Sequence, residues 1–312
     1  MQFWPRKKSA SIVSRIRTWP TSKDVKLLGY VAYKVGMTHV MLTDNRQTSV
    51  TKNETIAFPV TILECPPIKI ASILLYKKTA KGLACIGTIN HDKLDKEVSL
   101  RLPPVKKQHK PADTTGIIDV RVLAYTQPKL VTIGKKIPEI LELGIGGTSA
   151  EEKLKYAQSI LGKEIKATDV FSDGQVVDTV SITKGKGTQG PTKRFGLALR
   201  SHKSEKTKRG PGSLGPWHGP RLYRAPHLGQ MGFQQRTETN KQILKIDSDV
   251  KKVNPEGGFL RYGFIKNDYI IMKGSIGGAH KRLITLVAPT RPVPKLPKEA
   301  PTITHISTVS RQ

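Results

Sequence analysis

The feature that most constrains this sequence is a long basic stretch with little apolar surface to bury. Residues 184–245 carry 14 basic and 2 acidic residues, and their apolar side chains are separated by glycine, proline and charge. Such a stretch cannot bury enough apolar area to offset the entropy lost on ordering. It is therefore either disordered or ordered by a partner, and its charge indicates a polyanion.

The remaining charge is distributed differently. Residues 90–180 carry 14 basic and 13 acidic residues, as an ordinary globular surface does. Over the whole chain the net charge is +29, and a polyanionic partner would relieve the resulting self-repulsion. Hydrophobic residues make up 37% of the chain, below the usual fraction of about 45–50%, so part of it is expected to lack a core.

Strand-like segments lie on both sides of the basic stretch. Clusters of β-branched and aromatic residues between turn signals predict strands at 28–35, 56–65, 68–76 and 83–89, and again at 242–246, 269–272 and 283–287. We expect the two groups to complete one β-barrel.

One helix is predicted between the two groups of strands. Ser149 and Glu152 form a capping-box pattern, Leu154 and Ala157 begin an apolar repeat, and Gly162 suits a helix C-terminus. The pattern predicts a helix over 150–161. Together with an extended run at 120–123 and balanced charge, it predicts a small α/β insertion in a mainly β fold.

These patterns predict six regions. They are a basic N-terminal arm (1–27), the first part of a β-barrel (28–77), an inserted α/β subdomain (78–175), the second part of the barrel (176–184 and 241–290), a basic Gly/Pro-rich central loop (185–240) and a C-terminal tail (291–312). We expect the arm and the central loop to be unordered before they meet their partner.

The one enzyme-like motif is a GxGxxG pattern at Gly185, Gly187 and Gly190, after a strand-like segment at 176–183. A dinucleotide site needs a packed helix directly afterwards and an acidic residue about 20 positions on, at the end of the next strand. Here Pro191 follows, and the nearest acid, Glu205, lies in the basic loop. The glycines favour close approach of the backbone to phosphates, although a nucleotide-binding oxidoreductase remains an alternative.

The histidines and cysteines do not form a recognisable site. His202, His218, His227 and His280 lack metal-ligand spacing, and in a cationic loop a histidine more readily stacks on a base or donates to a phosphate or 2′-hydroxyl. Cys65 and Cys85 form no CxxC pair and are interpreted as small core residues. We expect no catalytic residue, metal or cofactor, and therefore no enzyme.

Trp217 is the most informative single residue of the central loop. An indole in a segment without a core either packs on Pro216 or Pro220 or stacks on a nucleic-acid base. The predicted RNA-binding residues are Arg6, Lys7, Lys8, Arg15 and Arg17 in the arm, and Lys184, Lys186, Lys193, Arg194, His202, Lys203, Lys206, Lys208, Arg209, Trp217, His218, Arg221, Arg224 and Arg236 in and beside the loop. An architectural DNA-binding protein would share this charge, but no helix suited to the major groove is predicted.

Five sequence blocks in order carry a resemblance to a known family. They are residues 29–38 (GYVAYKVGMT), 184–187 with 193–196 (KGKG and KRFG), 210–217 (GPGSLGPW), 229–232 (GQMG), and 236–237 with Asn240. Over nearly its whole length the chain resembles the universal large-subunit ribosomal protein L-three family, in its archaeal and eukaryotic form. Its length and N-terminal arm favour the archaeal type.

The resemblance implies a fold and a role. The fold would be a translation-protein-type β-barrel with an α/β insertion, a long central loop and an N-terminal arm. The role would be to bind large-subunit (23S-type) rRNA early in assembly, beside neighbouring ribosomal proteins, and to extend the loop toward the peptidyl transferase centre with Trp217 at its tip. No part in peptide-bond chemistry is implied.

The N-terminus and hydropathy bear on location. No run of about 18 apolar residues exists, and Arg6, Lys7 and Lys8 are not followed by the apolar stretch of a secretory signal. The sequence predicts a cytoplasmic protein with no membrane partner and no small-molecule substrate.

Overall fold

The structure, a computed structural model, describes residues 7–102, 116–204, 206–216, 225–294, 296–297 and 299–309. Its strands are β1 (Gly29–Thr43), β2 (Thr55–Glu64), β3 (Ile68–Thr79), β4 (Gly82–Asn90), β5 (Asp119–Tyr125), β6 (Ile140–Gly144), β7 (Glu164–Ile165), β8 (Val176–Ile182), β9 (Thr188–Gln189), β10 (Gly229–Gln230), β11 (Gln235–Asp247), β12 (Tyr269–Lys273), β13 (Leu283–Val287) and β14 (Ile303–Ile306). Its α-helices are α1 (Lys96–Ser99), α2 (Ala150–Ile160) and α3 (Pro191–Phe195). The prediction of a mainly β protein is confirmed.

Six strands of the larger sheet form a cycle of antiparallel pairings. The order is β13-β8-β11-β12-β2-β1, and β1 also pairs with β13, from Gly29 opposite Val287 to Tyr33 opposite Leu283. β14 is added beside the second half of β1. Strands from both sides of the basic stretch therefore belong to one hydrogen-bonded sheet.

Several strands of this sheet are buried on both faces. Residues 29–36 of β1 and all of β13 are buried, whereas a sheet with one face in water would alternate. Residues from both faces belong to the main apolar cluster, including the consecutive Ile270 and Ile271 of β12, which are both fully buried. The N-terminal arm covers part of one face, since Ser14 Oγ lies 2.7 Å from Thr285 Oγ1.

The second sheet has the order β4-β3-β5-β6, and β7 pairs with β3. It begins at Ile68, whereas the sequence-based boundary at 78 placed this strand in the first part of the barrel. Pro66 and Pro67 separate β2 from β3. Because proline cannot donate to a β-ladder, pairing with the first sheet ends there and the chain crosses to the second sheet.

Helix α2 is confirmed at the predicted position and ends one residue before the predicted boundary. Ser149 is its N-cap, and Ser149 Oγ accepts from the amide of Glu151 at 3.3 Å. Gly162 follows with φ +75°, and a Cβ there would lie 2.4 Å from Nε2 of His91. Glycine thus turns the chain toward β3, where its amide donates to the carbonyl of Ile70 at 3.0 Å.

Strand β11 begins seven residues earlier than the predicted strand at 242–246 and pairs with β8 from Gln235 onward. Residues 235–240 therefore belong to the sheet, not to the central loop. Because their side chains are polar, the hydropathy pattern did not predict a strand there. The register shifts between Glu238 and Lys241, where Asn240 adopts φ +58° and its amide donates to Asp178 Oδ1 at 2.9 Å.

None of the helices within the described ranges is long and apolar enough to cross a membrane.

Candidate nucleic-acid interface

The base of the central loop is a two-stranded stalk, formed by residues 183–189 and 229–234. It continues the β8–β11 pair. The amide of Thr183 donates to the carbonyl of Gln234 at 3.0 Å, and that of Lys186 donates to Met231 at 2.9 Å. β9 and β10 pair at its far end. The loop therefore leaves the sheet in a defined direction.

Gly232 lets the two chains of the stalk approach closely. It adopts φ +71°, and a Cβ there would lie 1.9 Å from the carbonyl oxygen of Lys184. A side chain of any kind would push the two chains apart.

The GxGxxG motif begins in this stalk, ends just beyond it at Gly190 and does not form a dinucleotide site. All pairings between the described strands are antiparallel, including those of β8, whereas the dinucleotide fold needs a parallel βαβ unit. The short helix α3, which the sequence analysis did not predict, follows Gly190 and begins at Pro191. It has five residues, too few to pack along a sheet.

Three predicted lysines lie exposed on and just beyond the stalk: Lys184, Lys186 and Lys193. Arg236 is half-buried, and its Nη2 donates to Gln234 Oε1 at 3.3 Å. Beneath them Lys34 is buried, and its Nζ donates to the carbonyls of Ile276 and Gly278. Burial, together with the positive charge of Lys184, lowers the pKa of Lys34. The stalk base is therefore a region of concentrated positive potential.

Arg194 is placed differently from its neighbours. Its side chain is buried, with 3% of its surface exposed, and Nη1 donates to the carbonyl of His227 at 3.1 Å. It also lies 5.1 Å from the ring centre of Phe195. Arg194 thus joins the two sides of the loop just beyond the stalk, whereas the sequence analysis predicted that it contacts RNA.

A group of predicted residues further along the loop is exposed and forms no ion pair with any described residue. The group comprises His202, Lys203, Lys206, Lys208 and Arg209. The segment folds back toward the stalk, because the amide of Arg200 donates to the carbonyl of Lys208 and Thr192 Oγ1 donates to that of Arg209, both at 3.3 Å. The three lysines and Arg209 are therefore available to an external anion.

The N-terminal arm lies beside the stalk. The amide of Ser9 donates to the carbonyl of Phe233 at 2.7 Å. Arg15 and Gln235 are joined twice, through Arg15 N to Gln235 Oε1 at 3.1 Å and Gln235 Nε2 to Arg15 O at 2.8 Å. This docking was missed because polar side chains and backbone make it, and neither produces a periodic pattern.

The described basic residues of the arm, Lys7, Lys8, Arg15 and Arg17, are all exposed. The arm and the stalk therefore bring two separate basic segments together. The other predicted RNA-binding residues, Arg6, Trp217, His218, Arg221 and Arg224, lie outside the described residues.

The remaining histidine and cysteine predictions have separate outcomes. Nδ1 of His280 lies 2.6 Å from the carbonyl oxygen of Val35. Because a carbonyl oxygen can only accept a hydrogen bond, Nδ1 is the donor. Cys65 is buried as predicted, but Cys85 is exposed on the edge strand β4, so the prediction that it lies in the core is wrong. Within the described residues, no three His, Cys, Asp or Glu side chains are grouped as a metal site would require.

Comparison with known proteins adds to this geometry. The sequence profile of the family described as Ribosomal protein L3 matches residues 1–312. The chain belongs to this family. The predicted resemblance is confirmed, and the family is one of ribosomal proteins rather than enzymes.

Three similar archaeal proteins are of nearly equal length. The "Large ribosomal subunit protein uL3" of Methanobrevibacter smithii is 44% identical, with 99% of this chain and 96% of the relative covered. The protein of the same name from Methanosphaera stadtmanae is 45% identical over the same shares. That from Archaeoglobus fulgidus is 42% identical, with 100% of this chain and 96% of the relative covered.

Proposed function

We propose that the protein is a structural constituent of the large ribosomal subunit in the cytoplasm, where it binds large-subunit (23S-type) rRNA. The observation that carries the proposal is the juxtaposition of the exposed cations of the stalk, the folded-back loop segment and the arm. Lys186, Lys193, Lys208, Arg209 and Arg17 have no ion-pair partner among the described residues. Membership of the L3 family supports rRNA as the proposed partner of this basic surface.

The proposed architecture is a translation-protein-type β-barrel. The cycle of six paired strands supports it, since a sheet whose last strand pairs with its first has no open edge. The proposed organisation has an arm at 1–27, a barrel from 28–67, 176–182 and 235–290, an inserted α/β subdomain at 68–175, a central loop with its stalk at 183–234, and a tail at 291–312.

The proposed mechanism is electrostatic anchoring with recognition of RNA shape. The barrel and stalk form a preformed base, and the central loop extends toward the peptidyl transferase centre with Trp217 at its tip. Each phosphate that a lysine or arginine neutralises releases counterions, so affinity falls steeply with salt. Binding early in assembly would let the loop and arm fill clefts between RNA helices before neighbouring ribosomal proteins arrive.

The salt dependence of binding tests the proposal. The double variant Lys208→Ala/Arg209→Ala removes two exposed loop cations, and the control Lys77→Ala/Lys78→Ala removes two exposed lysines from β3. We expect the loop variant to reduce the slope of log K against log salt by somewhat under two, at about 0.7–0.9 per lost contact, and the control to leave it unchanged.

Two results would contradict the proposal. An unchanged slope in the loop variant would place Lys208 and Arg209 in solvent. Equal affinity for duplex DNA and for large-subunit rRNA fragments at matched salt would indicate an architectural DNA-binding protein instead.

A further inference from the structure

A partly apolar cleft opens beside the stalk, with a volume of about 610 Å³. Its apolar lining includes Met37, Phe259 and Leu260, and its polar lining includes Lys34, Lys184 and His280. Lys184 belongs to both the cleft and the stalk. The volume lies within the roughly 300–1,000 Å³ of pockets that bind small ligands.

The apolar wall of the cleft is a tight turn. The amide of Phe259 donates to the carbonyl of Gly263 at 3.0 Å, and the amide of Gly263 donates back at 2.9 Å. Gly258 and Arg261 adopt left-handed conformations, with φ +71° and +64°. Because these bonds and conformations already order the turn, Phe259 can contact a ligand without the entropy cost of ordering the turn on binding.

The turn is also fixed from below. Glu64, the fully buried last residue of β2, accepts hydrogen bonds from the amides of Lys266 and Asn267 at 2.9 and 3.1 Å. The carboxylate of Glu64 therefore positions the loop that carries Phe259.

The floor of the cleft is a bulge in β1. The register with β2 shifts between Lys34 and Gly36, and a Cβ on Gly36 would lie 3.2 Å from Cδ1 of Phe259. Glycine lets the aromatic ring lie against the strand. The bulge frees the carbonyl of Val35, which His280 Nδ1 binds. Nε2 of His280 has no hydrogen-bond partner in the described part of the chain, so it can exchange a hydrogen bond with a ligand.

The exposure and charge of the cleft indicate its occupant. Met37 and Leu260 are 49% and 54% exposed, and they flank an aromatic ring. Among the described residues no carboxylate lines the cleft, and Lys184 lies exposed at its edge. An anionic ligand with a flat apolar face fits this combination, as a nucleotide does.

We propose that this cleft binds one unpaired nucleotide of the RNA, with its base against Phe259 and Leu260, its edge near His280, and its phosphate at Lys184. The proposal rests on the proposed function and adds a site outside the central loop. A base within a duplex cannot enter, because its faces are stacked; a bulged or looped-out nucleotide can. The barrel would then recognise one local feature of RNA shape as well as charge.

Ultraviolet cross-linking of purified large subunits at zero length, followed by nuclease digestion and mass spectrometry, tests the proposal. We expect a mononucleotide adduct on the peptide that contains Phe259 or on the one that contains Met37. Adducts on the stalk peptides without any on the peptides that contain Met37 or Phe259 would overturn this inference and leave the proposed function intact. Absence of adducts from the stalk, loop and cleft alike would count against both.

Two single-residue variants test whether the occupant of the cleft is a nucleotide. Leu260→Asp changes an exposed side chain, so the fold is retained, and it places a negative charge against the proposed base and phosphate. We expect one unpaired nucleotide, protected from chemical probing in wild-type subunits, to become about tenfold more reactive. The control Phe264→Asp alters another exposed residue of the same loop, 47% exposed, that does not line the cleft. It should leave the probing pattern unchanged.

A peptide of a neighbouring protein is the competing occupant. An amine-reactive cross-linker that joined Lys184 to such a peptide, with RNA reactivity equal in wild type and Leu260→Asp, would overturn the proposal.

Discussion

The hydroxyl of Tyr262 donates a 2.5 Å hydrogen bond to Oε2 of Glu64, and both side chains are buried. Burial, together with the negative charge of Glu64, raises the pKa of Tyr262 well above its usual value, so the hydroxyl remains a donor. The other carboxylate oxygen binds the amides of Lys266 and Asn267. One buried charge at the end of β2 thus organises the loop between Val253 and Asp268.

Replacing Tyr262 with phenylalanine tests this anchor. Tyr262→Phe leaves Oε2 of a buried carboxylate without this donor, and hydrogen bonds to charged groups contribute about 1.5–3 kcal/mol. We expect the free energy of unfolding, measured by urea denaturation, to fall by that amount. The control Tyr269→Phe removes a 3.3 Å bond to the neutral carbonyl of Asp249 and should cost less than about 1 kcal/mol. Equal losses of unfolding free energy in the two variants would contradict the role of Tyr262 as an anchor of the loop.

Buried tyrosines predict loss of stability at high pH. Burial is the first cause that raises the pKa of Tyr30, Tyr33, Tyr262 and Tyr269, and burial with the charge of Glu142 raises that of Tyr76 to about 12. Above pH ~10 the unfolded chain releases these protons while the folded chain retains them, so folding stability falls as pH rises.

The measurement is tyrosinate absorbance followed together with circular dichroism between pH 9 and 13. Because the folded state suppresses ionisation, absorbance and loss of β-structure should change together in one transition. Titration of most tyrosines near pH ~10 with the circular dichroism unchanged would show that they are not held neutral by the fold.

The stalk predicts a difference between two glycines. Gly232 and Gly187 have similar φ values of +71° and +65°, but a Cβ meets a backbone carbonyl at Gly232 and no atom within 4 Å at Gly187. Both alanine variants carry the backbone strain, and only Gly232→Ala adds the clash. We expect Gly232→Ala to be roughly 1–3 kcal/mol less stable than Gly187→Ala, with faster amide exchange at Lys186. Similar free energies of unfolding for the two variants would mean that the two chains of the stalk can move apart without losing stability.

Two adjacent basic residues should behave differently. Lys193 is exposed, whereas Arg194 is buried and bound to the carbonyl of His227. Lys193→Ala should reduce the salt slope of RNA binding by up to about 0.9 and leave the melting temperature unchanged. Arg194→Ala should lower the melting temperature and increase amide exchange around Met231, because the two sides of the loop lose their bridge. The reverse pattern would support Arg194 as an RNA contact.

Apolar pattern predicted segments of the six strands that form the cycle because their side chains are β-branched and buried, but it did not predict β14, which lies in the expected C-terminal tail. It could not assign β3 to the second sheet, since the same apolar run satisfies either sheet and only Pro66 and Pro67 mark the crossing. The first half of β11 was missed because a polar strand paired along a loop base has no hydropathy signal. Charge identified the exposed loop cations, but no charge count distinguishes Lys193 from the inward-facing Arg194.

The N-terminal arm shows most clearly how hydrogen bonds and packing can order a segment whose composition predicts disorder. Its sequence predicts an unordered segment, yet Ser14 bonds to Thr285, Arg15 to Gln235, and Trp19 lies so close to the second sheet that a Cβ on Gly144 would come within 2.7 Å of its ring. We therefore expect residues 9–19 of the free protein to exchange amide protons more slowly than residues 200–216.

Removing the indole should release the arm. Trp19→Ala deletes the contact with Gly29 and Gly144, so the bonds of Ser14 and Arg15 lose the packing that supports them, and exchange over residues 9–17 should rise toward the rate of the loop segment. Ile12→Ala, at a side chain 37% exposed, is the matched control and should change little. If the wild-type arm already exchanges as fast as residues 200–216, the arm is held only by RNA. If Trp19→Ala retains full protection, the polar bonds alone hold it.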